Sequence, residues 1–487
     1  MNILFVYSLD DIQSPLKPLQ TQEQIQFGIS YISSALKRRG HNTKLVVTSR
    51  LFGSKNKRLF DSRIKEFCPG LICFTATATE YPFIADIARY IKKRYKDIYL
   101  LVGGPHTSLK PEEVLSGDFD ALCIGEGEYP VLELARQLEK KILPRNIPNL
   151  WIKSGSGIEK NSPRPFLQDL DSLPFPDREM WLEWIEEKPA STCSILLGRG
   201  CPFRCSYCCN RAFKKMAPGV YVRYRSPENV IEEINEIKLR FPTIKEIYLE
   251  IETIVSNKKW SLELCSKLEH YNATLGQPLT FGANIRIAPA VDFNELFAMF
   301  KRSNFRFIQA GLESGSERVR REILNRNYSN RDIINVVRTA KKHGLKIALY
   351  NMLGIPGETV NDFKETVEIN RICLPDWHMT SIFYPYPGTA LYDLCKKEGL
   401  LKNSLDTKME RKKAILNLPG FSKRQIQHSL IWFDYYVYNG IKPKYKILFR
   451  VLRTRLKSFY YLNYLYRRLT CMSFFKSLKN IVRLKRD

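Results

Sequence analysis

No apolar run in this 487-residue chain reaches the roughly 20 residues that a bilayer-spanning helix needs. Its start, Met1-Asn2-Ile3-Leu4-Phe5-Val6-Tyr7-Ser8, lacks the basic stretch and small-residue cleavage site of an export signal. A cytoplasmic protein is therefore expected. With no export signal and so long a chain, the 12 cysteines do not suggest a secreted disulfide scaffold. No internal repeat or low-complexity tract is evident. Acidic residues are scarce, and unevenly so. There are 50 Asp and Glu against 77 Lys and Arg, a formal net charge of +27. Residues 441–487 hold 14 Lys or Arg and one acid, Asp487. Such a balance suits an anionic partner.

What is present is a regular alternation. In the first 140 residues, β-rich runs at Asn2–Ser8, Lys44–Thr48, Gly70–Thr75, Tyr99–Gly103 and Ala121–Ile124 alternate with helical patterns at Ile25–Arg38, Tyr81–Arg94 and Glu128–Glu139. This predicts βαβ units on a parallel sheet, with ligand loops beyond the carboxyl ends of the strands. Residues 141–190 are broken by prolines and read as a linker with a small hairpin around Asn149–Ile152. A second series spans 191–395, with strands predicted at Cys193–Leu197, Glu246–Ile251, Leu279–Ile285, Phe305–Gly311, Lys346–Met352 and His378–Phe383. Six βα units in succession predict a full or partial barrel. Residues 396–487 read as helical, basic and aromatic.

Cys68, Cys73, Cys123, Cys265 and Cys373 sit in or beside apolar runs and read as buried small hydrophobes. Only Gly200-Cys201-Pro202-Phe203-Arg204-Cys205-Ser206-Tyr207-Cys208-Cys209 is dense. Its spacing, C-x3-C-x2-C, follows the first strand of the second series. Three thiolates in one short loop can ligate three irons of a cubane and leave the fourth open. Structural zinc usually takes four ligands in paired halves, and no second pair lies nearby. Zinc and a chance cluster remain the alternatives.

With Tyr207 in the aromatic position, this loop resembles the motif of the radical S-adenosylmethionine superfamily. The resemblance continues in order through Tyr224–Val230, Gly311-Leu312-Glu313-Ser314-Gly315-Ser316, Leu353-Gly354-Ile355-Pro356-Gly357-Glu358-Thr359 and Tyr384–Thr389. It implies a partial (β/α)6 barrel resembling a TIM barrel. Cys201, Cys205 and Cys208 match the ligands of a [4Fe–4S] cluster. In that family the free iron binds S-adenosylmethionine, and one electron cleaves it to a 5′-deoxyadenosyl radical. Tyr207, Glu313, Arg286, Gly354, Pro356 and Gly357 match positions at the S-adenosylmethionine site. Relatives often carry Asp-Asp or Gly-Gly-Glu after the second strand, where this chain has Glu250-Ile251-Glu252-Thr253. Glu252 is the candidate acid there, and a strand-end ion pair is the alternative. Neither Cys209 nor a catalytic acid or base is assigned a role.

The first 140 residues resemble the Rossmann-like, doubly wound cobalamin-binding domain that precedes the radical domain in one large subfamily. Phe74–Thr79, Val102–Thr107 and Ile124–Glu128 carry the resemblance. It makes Thr75, Thr77, Gly103, Gly104, His106, Gly125 and Gly127 the candidate cobalamin contacts. The D-x-H-x-x-G signature of other cobalamin proteins is absent, so His106 reads as a loop residue near the corrin rather than a cobalt ligand. The family precedent is methyl transfer from methylcobalamin to an unactivated carbon or phosphorus of a substrate radical. A small-molecule or lipid substrate and a reductant such as flavodoxin or ferredoxin are the expected partners. Other readings are a cobalamin-dependent cyclase or rearrangement enzyme, a tRNA or protein methylthiotransferase, and a non-catalytic cobalamin or cluster sensor. The basic, aromatic residues 441–487 suit peripheral contact with an anionic membrane, against a helical cap with a solvated face. No nucleic-acid module is recognisable.

Overall fold

The computed structural model describes residues 1–10, 12–155, 157–401, 405–459 and 462–463. Most of residues 460–487 lies outside the described set. The chain divides into two compact units. The first comprises Met1–Phe203, Cys208–Ile244 and Tyr386–Thr389. The second comprises Arg204–Tyr207, Lys245–Pro385 and Ala390–Asp487.

The first unit is built on β1 (Asn2–Ser8), β2 (Asn42–Thr48), β3 (Leu71–Thr75), β4 (Tyr99–Gly103), β5 (Ala121–Cys123), β6 (Leu150–Ser154) and β7 (Gly157–Lys160). Their spatial order is β2-β1-β3-β4-β5-β6-β7. The first five pair in parallel; β6 and β7 add antiparallel to the edge. The hairpin expected in the 141–190 stretch thus continues this sheet. Alternation along the strands explains the two-sided core. Ile3, Phe5, Leu45 and Val47 pack with Ile29, Leu36, Val131 and Leu134 of helices Phe27–Lys37 and Glu128–Glu139. Leu4, Val6 and Val46 face the opposite way, against Phe60, Ile64, Ile84 and Ile87 of helices Lys55–Phe67 and Tyr81–Arg94. A period of two on each strand makes this division, as a doubly wound sheet requires. The order reverses between β1 and β3, which marks the crevice where ligands bind in such sheets.

The same unit holds β8 (Thr192–Leu196) and a two-stranded ribbon, β9 (Gly198–Arg199) with β10 (Arg223–Tyr224). Helix Pro227–Arg240 follows, capped by Ser226. Its Glu233 is buried between Arg178, at 2.6 Å, and Arg225. Arg225, in the segment that carries the family resemblance, thus completes a buried ion triad.

The second unit contains β11 (Glu246–Glu250), β12 (Thr280–Ile285), β13 (Phe305–Glu313), β14 (Lys346–Leu353) and β15 (Trp377–Ile382). They are parallel and neighbour one another in chain order. Helices Lys258–Ala273, Phe293–Arg302, Asn330–Lys342 and Val360–Cys373 lie between them in sequence. This is the βα succession of a partial barrel. Ser329 and Thr359 each open a helix with a complete capping box. Helices Ala390–Lys397, Lys423–Tyr438 and Lys444–Lys457 follow. Among the described residues, no helix is long and apolar enough to cross a membrane.

Four of the five scattered cysteines are buried as expected. Cys68 is the exception. It is exposed, because it ends helix Lys55–Phe67 in a left-handed conformation, with φ 46°. A helix terminus turning towards β3 leaves its side chain outside the core.

Candidate functional site

In the first unit a cavity of about 250 Å³ opens at the carboxyl ends of β1, β3, β4 and β5, beside helix Phe27–Lys37. Thr75, Gly103, Gly104, Gly125 and Gly127 line it. Apolar walls come from Phe5, Ile29, Ile32, Leu101 and Val131. The glycines are what keep it open. A Cβ on Gly127 would stand 2.7 Å from Ile32 Cδ1. Gly104 has φ +98°, and a Cβ there would stand 2.7 Å from Thr75 Oγ1. An open, largely apolar slot between sheet and helix fits the tail of a large cofactor such as cobalamin.

Two of the seven candidate cobalamin residues do not line this slot. The Thr77 hydroxyl lies 3.3 Å from that of Thr79. His106 is buried, with its ring 4.5 Å from that of Tyr81. Its Nε2 lies 3.5 Å from Glu113. Burial lowers its pKa, against the opposing pull of Glu113.

Other groups form the polar rim, and sequence reasoning did not single them out. Arg199 donates to Glu126 at 2.9 Å and to Glu128, and sits over the Tyr31 ring. Arg223 also reaches Glu126, at 3.1 Å. Burial alone would raise the Glu126 pKa; Arg199 and Arg223 outweigh it and hold the carboxyl below its usual range. Both acids lie in the Ile124-Gly125-Glu126-Gly127-Glu128 stretch, so their position was available in the sequence. Their partners, about 70 to 100 residues away, were not.

Cys201 and Cys208 belong to the first unit and Cys205 to the second. Among the described residues, no three His, Cys, Asp or Glu side chains are grouped as a metal site. The donor set nevertheless suits an iron–sulfur cluster, because two of the sulfurs already accept hydrogen bonds. The Arg286 guanidinium lies 2.8 Å from Cys205 Sγ. The backbone and side-chain nitrogens of Asn210 approach Cys208 Sγ at 3.5 and 3.4 Å. Gly200, with φ +85°, admits no side chain, since a Cβ would collide with the Tyr221 carbonyl.

In the second unit, Tyr207 and Glu313 come together. The Tyr207 hydroxyl donates to Glu313 Oε1 at 2.9 Å. The residue that organises them was missed. Arg326 donates to the Tyr207 oxygen at 2.7 Å and also to Glu313. Its guanidinium lies over the Tyr328 ring. Glu313 ends β13 with φ +59°, at a register shift against β14. That turn aims its carboxylate back over Gly311, where any side chain would collide with it. Burial drives the Tyr207 pKa well above its ordinary value although Arg326 opposes the shift. Tyr207 therefore stays a neutral donor. Burial disfavours the Arg326 charge, but the Glu313 carboxylate beside it opposes that, and its pKa stays above the ordinary value.

The loop after β14 holds Gly354 and Gly357, with φ +75° and +78°, around Pro356. Glu358, 1% exposed, closes it by accepting from the backbone of Gly354 at 2.6 Å and Ile355 at 3.0 Å. Burial raises its pKa to about 8, despite those two hydrogen bonds. The native state thus keeps a proton that the unfolded chain loses above about 4.5. Stability consequently falls as pH rises from about 4.5 to about 8. In Glu358→Gln this loss should vanish. Urea unfolding should find the variant gaining on the wild type by a few kcal/mol between pH 5 and pH 8. Glu252 lies exposed in the loop after β11. Next to it, the Thr253 hydroxyl accepts from the Arg286 backbone at 3.0 Å.

Residues 195–369 match the Radical SAM superfamily, and residues 21–135 match the B12 binding domain. An uncharacterized methyltransferase of Pyrococcus horikoshii is 27% identical over 88% of this chain and 91% of its own length. The anaerobic magnesium-protoporphyrin IX monomethyl ester cyclase of Cereibacter sphaeroides is 22% identical over 75% of this chain and 59% of its own. Among solved structures, the cobalamin-dependent S-adenosylmethionine radical enzyme OxsB superposes with a TM-score of 0.68 at 14% identity. That match covers 99% of this chain and 75% of the other. The slot at the strand ends, the three-cysteine loop and both domain matches agree: the chain carries a B12 binding domain followed by a Radical SAM superfamily domain, and the cofactors these imply are a [4Fe–4S] cluster, S-adenosylmethionine and cobalamin.

Proposed function

We propose that this enzyme methylates an unactivated carbon of a small-molecule or lipid substrate. The observation that carries this reading is the glycine-kept slot in a B12-binding domain that precedes a radical domain in the chain. The Pyrococcus methyltransferase, matched over nearly its whole length, supports it. When bound, the cofactors supply an electron that cleaves S-adenosylmethionine and a methyl group for transfer.

The chain's own residues bind and orient. Cys201, Cys205 and Cys208 hold the cluster, with Arg286 and Asn210 donating hydrogen bonds to two of the sulfurs. Glu313 offers its carboxylate to the ribose hydroxyls or ammonium of S-adenosylmethionine, fixed in place by Arg326 and Tyr207. Gly354, Pro356 and Gly357 present backbone to the adenine, and Glu252 is the candidate acid beside the same site. Thr75, Gly103, Gly104, Gly125 and Gly127 border the cobalamin tail. A flavodoxin or ferredoxin supplies the electron.

A second reading, cyclisation or rearrangement without methyl transfer, rests on the cyclase relative. Anaerobic reconstitution with iron, sulfide and hydroxocobalamin, then turnover with methyl-labelled S-adenosylmethionine, separates the two. Methyl transfer requires about four irons, one cobalt and label in the product. Iron and cobalt with unlabelled product favour the cyclase reading. Iron without cobalt removes both. In Gly127→Val, whose side chain fills the slot, cobalamin affinity should fall at least about tenfold, with iron content unchanged.

A further inference from the structure

Helix Lys444–Lys457 carries two apolar faces. One is ordinary: Ile447 and Val451 are buried in the core of the second unit. The other faces outward. Tyr445, Leu448, Phe449 and Leu452 are all exposed, Tyr445 by 70% and Phe449 by 68%. Their spacing is i, i+3, i+4, i+7. At roughly 100° per residue they fall within an arc of about 100°. By the same count, Lys444 and Arg455 flank that stripe on one side and Lys446 and Arg453 on the other, each roughly 70–110° from its centre. Six of the 14 residues are Lys or Arg and none is acidic.

A helix that only capped the barrel would need one apolar face. A solvated basic face would not carry four large apolar side chains in register. The second stripe costs solubility unless it is covered, and what covers it must be apolar at the centre and anionic at both margins.

We infer that this helix docks the enzyme on the surface of an anionic lipid bilayer. Tyr445, Leu448, Phe449 and Leu452 enter the boundary between headgroups and acyl chains, while the flanking Lys and Arg meet the lipid phosphates. The same charge arrangement disfavours a second copy of this helix as the occupant, because two such faces would bring like charges together. Ile447 and Val451 anchor the helix to the body, so docking would hold the catalytic chain at the interface without a spanning segment.

The test is flotation of the full-length protein with vesicles of phosphatidylcholine alone or with a quarter phosphatidylglycerol, at low and high salt. The expected result is binding to the anionic vesicles only, weakened by salt. Leu448→Glu/Phe449→Glu should lower binding at least about tenfold, as should Lys444→Glu/Lys446→Glu. These side chains are exposed, so the melting temperature should not change; Phe449→Ser, a milder change, should lower binding partially. Unchanged vesicle binding in the Leu448→Glu/Phe449→Glu variant overturns the inference, and so does equal binding to neutral vesicles. Self-association or nucleic-acid binding that these substitutions abolish, without vesicle binding by the wild type, overturns it too.

Discussion

Replacing Cys201, Cys205 and Cys208 together by Ala is expected to reduce iron after anaerobic reconstitution from about four per chain to background. Cobalt should stay at the wild-type level, and cleavage of S-adenosylmethionine to 5′-deoxyadenosine should cease. The size of the effect follows from the ligand chemistry. Iron–sulfur clusters are held by thiolates, and no other residue of the loop can replace three of them. Arg286 donates to Cys205 and Asn210 to Cys208, so two of the three sulfurs are already oriented by hydrogen bonds. Retention of cobalt is expected because the slot lies wholly within the first unit and draws on none of the three cysteines. Cys209→Ala should keep its iron and serves as the control for a neighbouring cysteine. Iron retained by the triple variant would assign the cluster elsewhere, and zinc in place of iron in the wild type would restore the alternative that the spacing left open.

Arg326→Met should be the most damaging single change in the second unit. Glu313 would be left as a largely buried carboxylate without its cation, and Tyr207 would lose a donor. Breaking a buried ion pair from one side costs about 3–5 kcal/mol. Arg326 is 5% and Glu313 15% exposed, so solvent relieves little of that. The expected readouts are a lower melting temperature and at least about tenfold weaker binding of S-adenosylmethionine, since the Glu313 carboxylate would no longer be fixed. Glu313→Gln/Arg326→Met removes both charges and should recover most of the melting temperature without recovering binding. Equal melting of the single and double variants would mean that the pair is not coupled. Unchanged binding in Arg326→Met would remove Glu313 from the proposed site.

The sequence by itself determined whatever depends on local pattern. Alternation along Asn2–Ser8 and its neighbours placed the parallel strands, because a half-turn per residue puts one apolar set on each sheet face. The Cys201–Cys208 spacing is equally local and carries the resemblance to a cluster-binding motif. Glycines at strand ends could be read as room for a ligand, although only the folded chain shows what each Cβ would strike.

Tertiary structure decided the partners. Glu313 and Arg326 flank a short π-helical segment, Val319–Ile323, and nothing in their spacing says that the two converge on Tyr207, more than a hundred residues earlier. The rim at Glu126 is supplied by Arg199 and Arg223 through the same kind of distant contact. Packing also withdrew Thr77 and His106 from the slot: His106 lies two residues after Gly104, yet its ring is buried against Tyr81. At Glu358, burial of a loop-closing side chain turns an acid that looks ordinary in sequence into one that holds its proton to about pH 8. Spacing along a chain fixes which side chains share a face. Which charge meets which, and how much water remains between them, is set only when distant segments close on one another.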